Sequence, residues 1–503
     1  MNQHTGEPAN ERYPTLYERL TGFLSDGELD GVKATGERLV EAAGGIDALP
    51  DYKVMVAYGG GKDSTYVVAF VRAVQLHLAL NFGRTFTLRV ANMRHAGVPR
   101  AVMENIDRVY RALGLLDDDR AELLTVDHTL VRPFHVDLPL PEQLVAINRL
   151  DVLMNGHRAA GDGRPTFCNS CNLAVADFYG RAAWFDGGVD VVMTGDSRRE
   201  QLLYSAWIMR LAKACGVDVQ ECRTMGFRGI LMALRGIGDT YFRELFGDDS
   251  ARELAEREVS TGDRVMQPQF ISVYDLVSYR VHDHWDLIVD FLGFQFDELA
   301  FSFSESDCAN PGLMAHLRAL RSEFVQGRTY DDGLAEYLEL AEELMRKKEM
   351  PQNLIDLALS RYDTPDKRIH RRKIADEFAQ EAFGLSEEAL VAMVFSPFTD
   401  RGERLAAFLE RCHPAKAAEA DRIHAVLGAK AEPDEDPETA AWLQDVSGLT
   451  LAHLRTLYTS GLVDFGTPET IISRVRAGDP HKYHVATIDP AGGAPATELI
   501  SGR

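Results

Sequence analysis

The feature that most limits how this chain can fold is an alternation of strand-like and helix-like segments from Tyr52 to Asp196. The apolar runs YKVMVAY (52–58), TFTLRVAN (85–92), ELLTVD (122–127) and VDVVMTG (189–195) are short and rich in β-branched residues. Between them lie helical patterns at 63–80, 99–115 and 172–185. Runs without polar alternation, separated by amphipathic helices, predict an α/β fold with a doubly wound parallel sheet covered on both faces. Ligands of such sheets bind outside the carboxyl ends of the strands. Residues 1–50 read as a helical lead-in, 51–245 as the α/β domain and 246–430 as a mostly helical region. The acidic, proline-bearing AEPDEDPET (431–439) reads as a linker, leaving 431–503 as linker and small cap.

Length and charge narrow the function. A chain of 503 residues is expected to hold two or three domains. A formal net charge of −23 argues against general binding to nucleic acid, whose phosphates reward a positive surface. No apolar run long enough for a transmembrane helix is evident, and the polar opening MNQHTGEPANERYPTLYERL has no signal-peptide core. A soluble cytoplasmic protein without membrane contact is therefore expected. Six cysteines are too few for a disulfide scaffold, so neighbouring cysteines suggest metal or catalysis.

The first strand run continues into GGGKDS, residues 59–64. A Walker A loop places a hydroxyl residue directly after its lysine to bind magnesium. Here Asp63 separates Lys62 from Ser64, and a carboxylate in that cradle would repel the phosphate. The context still suits an anion. Three glycines allow close backbone approach, and a helix starting near Asp63 offers N–H groups and a positive dipole end. Lys62 adds a charge and Ser64 a hydroxyl. The alternative is a plain tight turn.

GGGKDS resembles the SGGKDS signature of the N-type ATP pyrophosphatases, the PP-loop superfamily, and more particularly its sugar-amidotransferase and tRNA-thiolating branches. The resemblance covers roughly residues 50 to 310. It implies an adenine nucleotide alpha hydrolase-like fold with ATP and Mg2+ as cofactors. Gly59, Gly60, Gly61, Lys62, Asp63 and Ser64 would hold the pyrophosphate. Gly59 departs from the family serine, which removes one hydroxyl donor and keeps the backbone N–H. By the same resemblance Asn92 and Met93 would meet the adenine, and Arg94 and His95 phosphate or substrate. Gly195 would admit the nucleotide, Asp196 would hold metal or ribose, and Arg198 would face pyrophosphate. Asp196 reads equally well as a helix N-cap.

Cys168 and Cys171 stand two residues apart in FCNSCN, ahead of the helical pattern at 172. That spacing suits a shared metal ion or a redox pair. The resemblance adds Cys308 as a third ligand and Cys222 as a fourth, holding either Zn2+ or a [4Fe-4S] cluster. Thiolates accept both.

His282 and His284 sit at i and i+2, which on a helix point apart, so surface or packing roles are expected. The basic islands at 345–350 and 366–373 read as solvated helix faces or as a landing site for a phosphorylated or nucleic-acid substrate. Met1 is followed by Asn2, so an N-terminal cysteine glutaminase is not expected. Ammonia would arrive free or from a separate glutaminase, and sulfur from a separate sulfur donor. The leading expectation is an AMP-forming ligase or amidotransferase that adenylates an oxygen of a small-molecule or sugar acceptor. A nitrogen nucleophile then displaces AMP. Two alternatives stay open: a sulfur transferase acting on tRNA or a small molecule through an iron–sulfur cluster, and a non-catalytic nucleotide-binding protein. Homodimer formation also stays open.

Overall fold

The computed structural model describes residues 9–195, 198–247, 250–260, 267–275, 277, 284–295, 310–347, 349–429, 436–477, 482–488 and 495–501. Helices α1 (Ala9–Thr21) and α2 (Asp26–Ala43) lead into β1 (Lys53–Ala57) and α3 (Lys62–Phe82). Next come β2 (Thr87–Met93), α4 (Arg100–Ala112), β3 (Ala121–Asp127) and β4 (Leu130–Pro133). Helices α5 (Glu142–Arg158) and α6 (Gly163–Trp184) precede β5 (Val191–Thr194). After it run α7 (Arg198–Ala214), α8 (Val219–Thr224), α9 (Gly226–Phe246), α10 (Ala251–Ala255) and β6 (Gln269–Ser272). The helical half begins with α11 (Pro311–Leu320), α12 (Tyr330–Lys347), α13 (Gln352–Leu359), α14 (Pro365–Phe383) and α15 (Glu387–Phe395), with further helices out to Ala477. An antiparallel hairpin, β7 (Lys482–Ile488) and β8 (Pro495–Ser501), follows.

The sheet has the order β4-β3-β2-β1-β5-β6 and is parallel except for β4, which runs antiparallel to β3. The fold is thus α/β, with helices on both sheet faces. Val54, Val56, Leu88 and Val90 pack with α2, α3 and α4 on one face. Met55, Ala91, Leu124 and Val192 pack with α6 on the other. Residues alternate between faces along each strand, and both faces are covered, which is why apolar residues occupy successive positions in β1 and β5. Each fully buried Val or Leu contributes roughly 1.5–3 kcal/mol, which makes β1 the natural centre of the sheet. Helix α3 is long and apolar enough to cross a membrane by length and composition, yet 72% of its apolar window is buried inside the protein. That is the signature of a core helix.

The four expected strand runs become β1, β2, β3 and β5. Two strands depart from the sequence reading. β4 is a four-residue edge strand with partly exposed residues, too short and polar to register as a period. β6 is also four residues long and lies beyond 245, so the sheet takes an edge strand from the region expected to be helical. A second correction concerns the CxxC segment. Cys168 and Cys171 lie inside α6, which begins at Gly163, and not ahead of a helix. Pro165 falls in the first turn, where a missing N–H is tolerated, so the apparent break is a helix start.

The later helices share one apolar core with α5, α6 and α9. Leu153, Phe167, Ile237, Leu317, Met345, Leu390, Phe408, Leu443 and Leu454 belong to it. Residues 440–475 therefore pack into the same core as α11 to α15. Ala96, just past β2, is part of this cluster too, so the helical layer borders the carboxyl edge of the sheet.

Candidate functional site

Strand β1 lies between β2 and β5, so the chain leaves it toward one side and returns on the other. The loop after β1 occupies that switch point, where α/β sheets open a crevice. Tyr58 N–H donates to Ala91 O at 2.8 Å, continuing the ladder one residue past β1. Asn92 Nδ2 donates to Tyr58 O at 2.8 Å and fixes the loop's first carbonyl.

The three glycines have different duties. Gly60 has φ +80°, and a Cβ there would lie 2.6 Å from Val102 Cγ1. Only glycine fits that turn against α4. At Gly59 and Gly61 an added Cβ would meet nothing within 4 Å among the described residues. Their bareness leaves backbone open to an approaching group. Gly61 caps α3 without any side-chain hydrogen bond, so no N-cap side chain covers the first-turn N–H groups of this 21-residue helix. The hydroxyls of Ser64 and Thr65 donate back to Gly61 O at 3.1 and 2.8 Å and brace the loop.

Lys62 Nζ rests 5.0 Å from the centre of the Trp285 ring and 3.8 Å from Asp63 Oδ1. The Lys62 side chain is 11% exposed against 61% for Asp63. Lys62 is therefore a sheltered cation, and Asp63 projects outward, away from the repulsion the sequence reading feared. Trp285 is set in place by its neighbour. His284 stacks on Tyr66 with ring centres 3.8 Å apart, and its Nε2 lies 2.8 Å from Glu28 Oε1. Tyr66 OH donates to the same oxygen at 2.6 Å. Burial alone would raise the Glu28 carboxyl, but hydrogen bonds from His284, Tyr66 and Ser25 pull it down to about 2. His284 is thus a packing residue, as its spacing suggested, while His282 lies outside the described residues.

At the end of β2, Asn92 is 2% exposed, and its Oδ1 has no partner among the described residues. Its register partner Thr125 carries a buried hydroxyl in the same condition. Met93 points to the opposite face and packs on Cys168 and Cys171. Arg94 does not face a phosphate. Its Nε and Nη2 bind the two oxygens of Asp127 at 2.6 and 2.5 Å, with Nη2 also 3.0 Å from Pro139 O. His95 is buried and its Nδ1 accepts the Gly97 N–H at 3.1 Å. At Gly195 a Cβ would come 2.8 Å from Val67 Cγ2, so α3 packing by itself demands glycine there. Asp196 and the side chain of Arg198 lie outside the described residues.

Cys168 and Cys171 sit one helical turn apart on α6, 4% and 6% exposed. Cys222 packs elsewhere, in the helical core, where burial raises its thiol pKa. Among the described residues, no group of three potential ligands includes any of these cysteines. Cys308 lies outside the described residues. A cavity of about 70 Å3 adjoins Cys171, lined among others by Met93, His128, Asn148, Asp151 and Phe242. Asp151 is matched there by Arg257, 2.6 Å away.

The structure thus gathers Gly59 to Ser64, Asn92, Met93 and Gly195 at one sheet edge, with Cys168 and Cys171 just behind Met93. Sequence reasoning missed Glu28, Tyr66 and Trp285, whose roles arise from contacts across more than 200 positions of chain in the case of Trp285. The basic islands are largely neutralised: Arg346 pairs with Glu342, Lys367 with Asp363, Arg368 with Asp331, and Arg372 with Glu387. No protein-family model matches the chain, and no curated protein does either.

Proposed function

We propose that the protein is an ATP pyrophosphatase of the PP-loop type with an adenine nucleotide alpha hydrolase-like fold. In this reading it adenylates an oxygen of a small-molecule acceptor and releases pyrophosphate, and a nitrogen nucleophile then displaces AMP. The observation that carries it is the glycine loop: Gly60 is obligatory for the turn, while Gly59 and Gly61 stand open at the head of α3. A phosphate group suits the head of α3, where first-turn N–H groups carry no side-chain cap. The orphaned Asn92 Oδ1 offers a buried acceptor beside the loop, suited to an exocyclic amino group such as that of adenine.

Each residue has a task in this scheme. Lys62 carries the positive charge that offsets the departing pyrophosphate, and Trp285 holds it near the loop. Ser64 and the first-turn N–H groups bind phosphate oxygens. Asp63, exposed beside Lys62, is placed to hold Mg2+, which when bound would neutralise phosphate charge. The acceptor's oxygen attacks the α-phosphorus, the bond to the β-phosphate oxygen breaks, and pyrophosphate leaves with that electron pair. The nitrogen nucleophile then forms a C–N bond as AMP departs. A cytoplasmic location accords with this chemistry, and the paired basic islands favour a small acceptor over nucleic acid.

Sulfur transfer remains the second reading, favoured by one observation. Cys168 and Cys171 share a helix face and touch Met93, which adjoins Asn92 on β2. They suit Zn2+ or an iron–sulfur cluster only if a further ligand joins them. Product analysis tests the main reading. With a competent acceptor, ATP is expected to yield AMP and pyrophosphate, and formation of ADP and phosphate would refute it. Visible absorbance of anaerobically purified protein decides between zinc and a cluster.

A further inference from the structure

The helical half holds a constellation that the nucleotide scheme does not use. His316 on α11, Asp376 on α14 and Glu387 on α15 each offer a ligand atom, and these atoms lie within 4.8 Å of one another. Among the described residues this is the one three-donor group of its kind. A buried imidazole, 1% exposed, sets it apart from a solvated acidic surface.

Its geometry resembles that of a ligating histidine. His316 Nε2 lies 3.0 Å from Asp376 Oδ1. Two donors about 2.0–2.2 Å from a shared tetrahedral ion would stand roughly 3.3 Å apart. His316 Nδ1 lies 2.8 Å from the Tyr330 hydroxyl. When Nδ1–H donates to that oxygen, Nε2 presents its lone pair toward the carboxylates. Burial raises the Tyr330 pKa, so the hydroxyl stays neutral in this role.

Charge points the same way. Arg372 bridges two carboxylates, with Glu387 at 2.7 Å and Glu323 at 2.9 Å. Asp376 contacts Glu387, and two carboxylates in contact repel unless a proton or a cation lies between them. Arg372 is thus engaged by Glu323 and Glu387, while Asp376 faces His316. We propose that His316, Asp376 and Glu387 bind a divalent transition cation of the Zn2+ or Mn2+ class. The ion lies among the three side chains and ties α11, α14 and α15 together. Imidazole with carboxylates accepts either metal.

Mn2+ is the discriminating probe, because it prefers oxygen and nitrogen donors to the thiols of Cys168 and Cys171. The full chain, stripped with chelator, is titrated with MnCl2 by calorimetry and melted with and without the ion. Saturable binding and a higher melting temperature are expected. His316→Ala, Asp376→Asn and Glu387→Gln should each weaken binding by about tenfold or more and abolish the metal-dependent rise. If His316→Ala does not fold, Glu387→Gln carries the comparison, since its side chain is 34% exposed. Absence of Mn2+ binding by the wild-type chain would overturn the assignment. Variants that bind as tightly as wild type, or keep the full rise, would overturn it equally.

Discussion

Gly59 and Gly60 are adjacent, yet they are expected to respond differently to the same methyl group. Gly60→Ala forces a positive φ on an L-residue and a contact at 2.6 Å, so it should destabilise the fold by about 2 kcal/mol or more. Gly59→Ala meets nothing within 4 Å and should leave stability nearly unchanged while obstructing phosphate. Urea denaturation of both variants, paired with pyrophosphate titration, separates the two roles. Equal loss of stability in both would show that the loop's openness has no functional content. Arg94 gives the opposite lesson. Its position invited a phosphate role, but Asp127 engages one edge of its guanidinium and the Leu138 carbonyl takes Nη1.

At the level of elements, the site depends on α2 as much as on the loop. Glu28 holds Tyr66 on α3 and His284, and His284 carries Trp285 beneath Lys62. Glu28→Gln should lower stability by about 2–3 kcal/mol by leaving this buried network half satisfied. It should also weaken pyrophosphate binding by loosening Lys62. Denaturation alone moving, with binding intact, would confine Glu28 to a structural role. The helix carrying Glu28 could be read from its capping-box sequence, and the core strands from their unbroken β-branched runs. The partnership could not, because it joins positions 28, 66 and 284 through folding. β4 and β6 escaped for a simpler reason: unlike the equally short but buried β5, they are partly exposed edge strands without a sustained apolar run. The CxxC segment misled because Pro165 and the polar residues around the cysteines imitate a loop, although burial within α6 makes them helical.

Across the whole molecule, the sheet and the helical layer meet at α5 and α6, and α5 carries a liability. His157 is fully buried, and neither ring nitrogen has a partner among the described residues. Burial lowers its pKa from 6.5 to about 3. A lowered histidine pKa means the neutral form belongs to the folded state. Its contribution is complete above pH 6.5 and is lost as pH falls toward about 3, because the unfolded chain takes up the proton first. Stability should therefore decline on acidification through this window, and His157→Phe should flatten the slope. Denaturation midpoints measured from neutral pH downward check this, and identical slopes would refute it.

The account's central claim is that the loop at residues 59–64 grips the terminal phosphates of ATP, and calorimetric titration with pyrophosphate in the presence of Mg2+ tests it most directly. The wild-type chain should bind pyrophosphate in competition with ATP, and a folded Lys62→Ala variant should bind both about 10- to 100-fold more weakly, as expected for a lost charge-assisted contact. Undiminished affinity in that variant, or ATP binding that pyrophosphate fails to displace, would contradict the account.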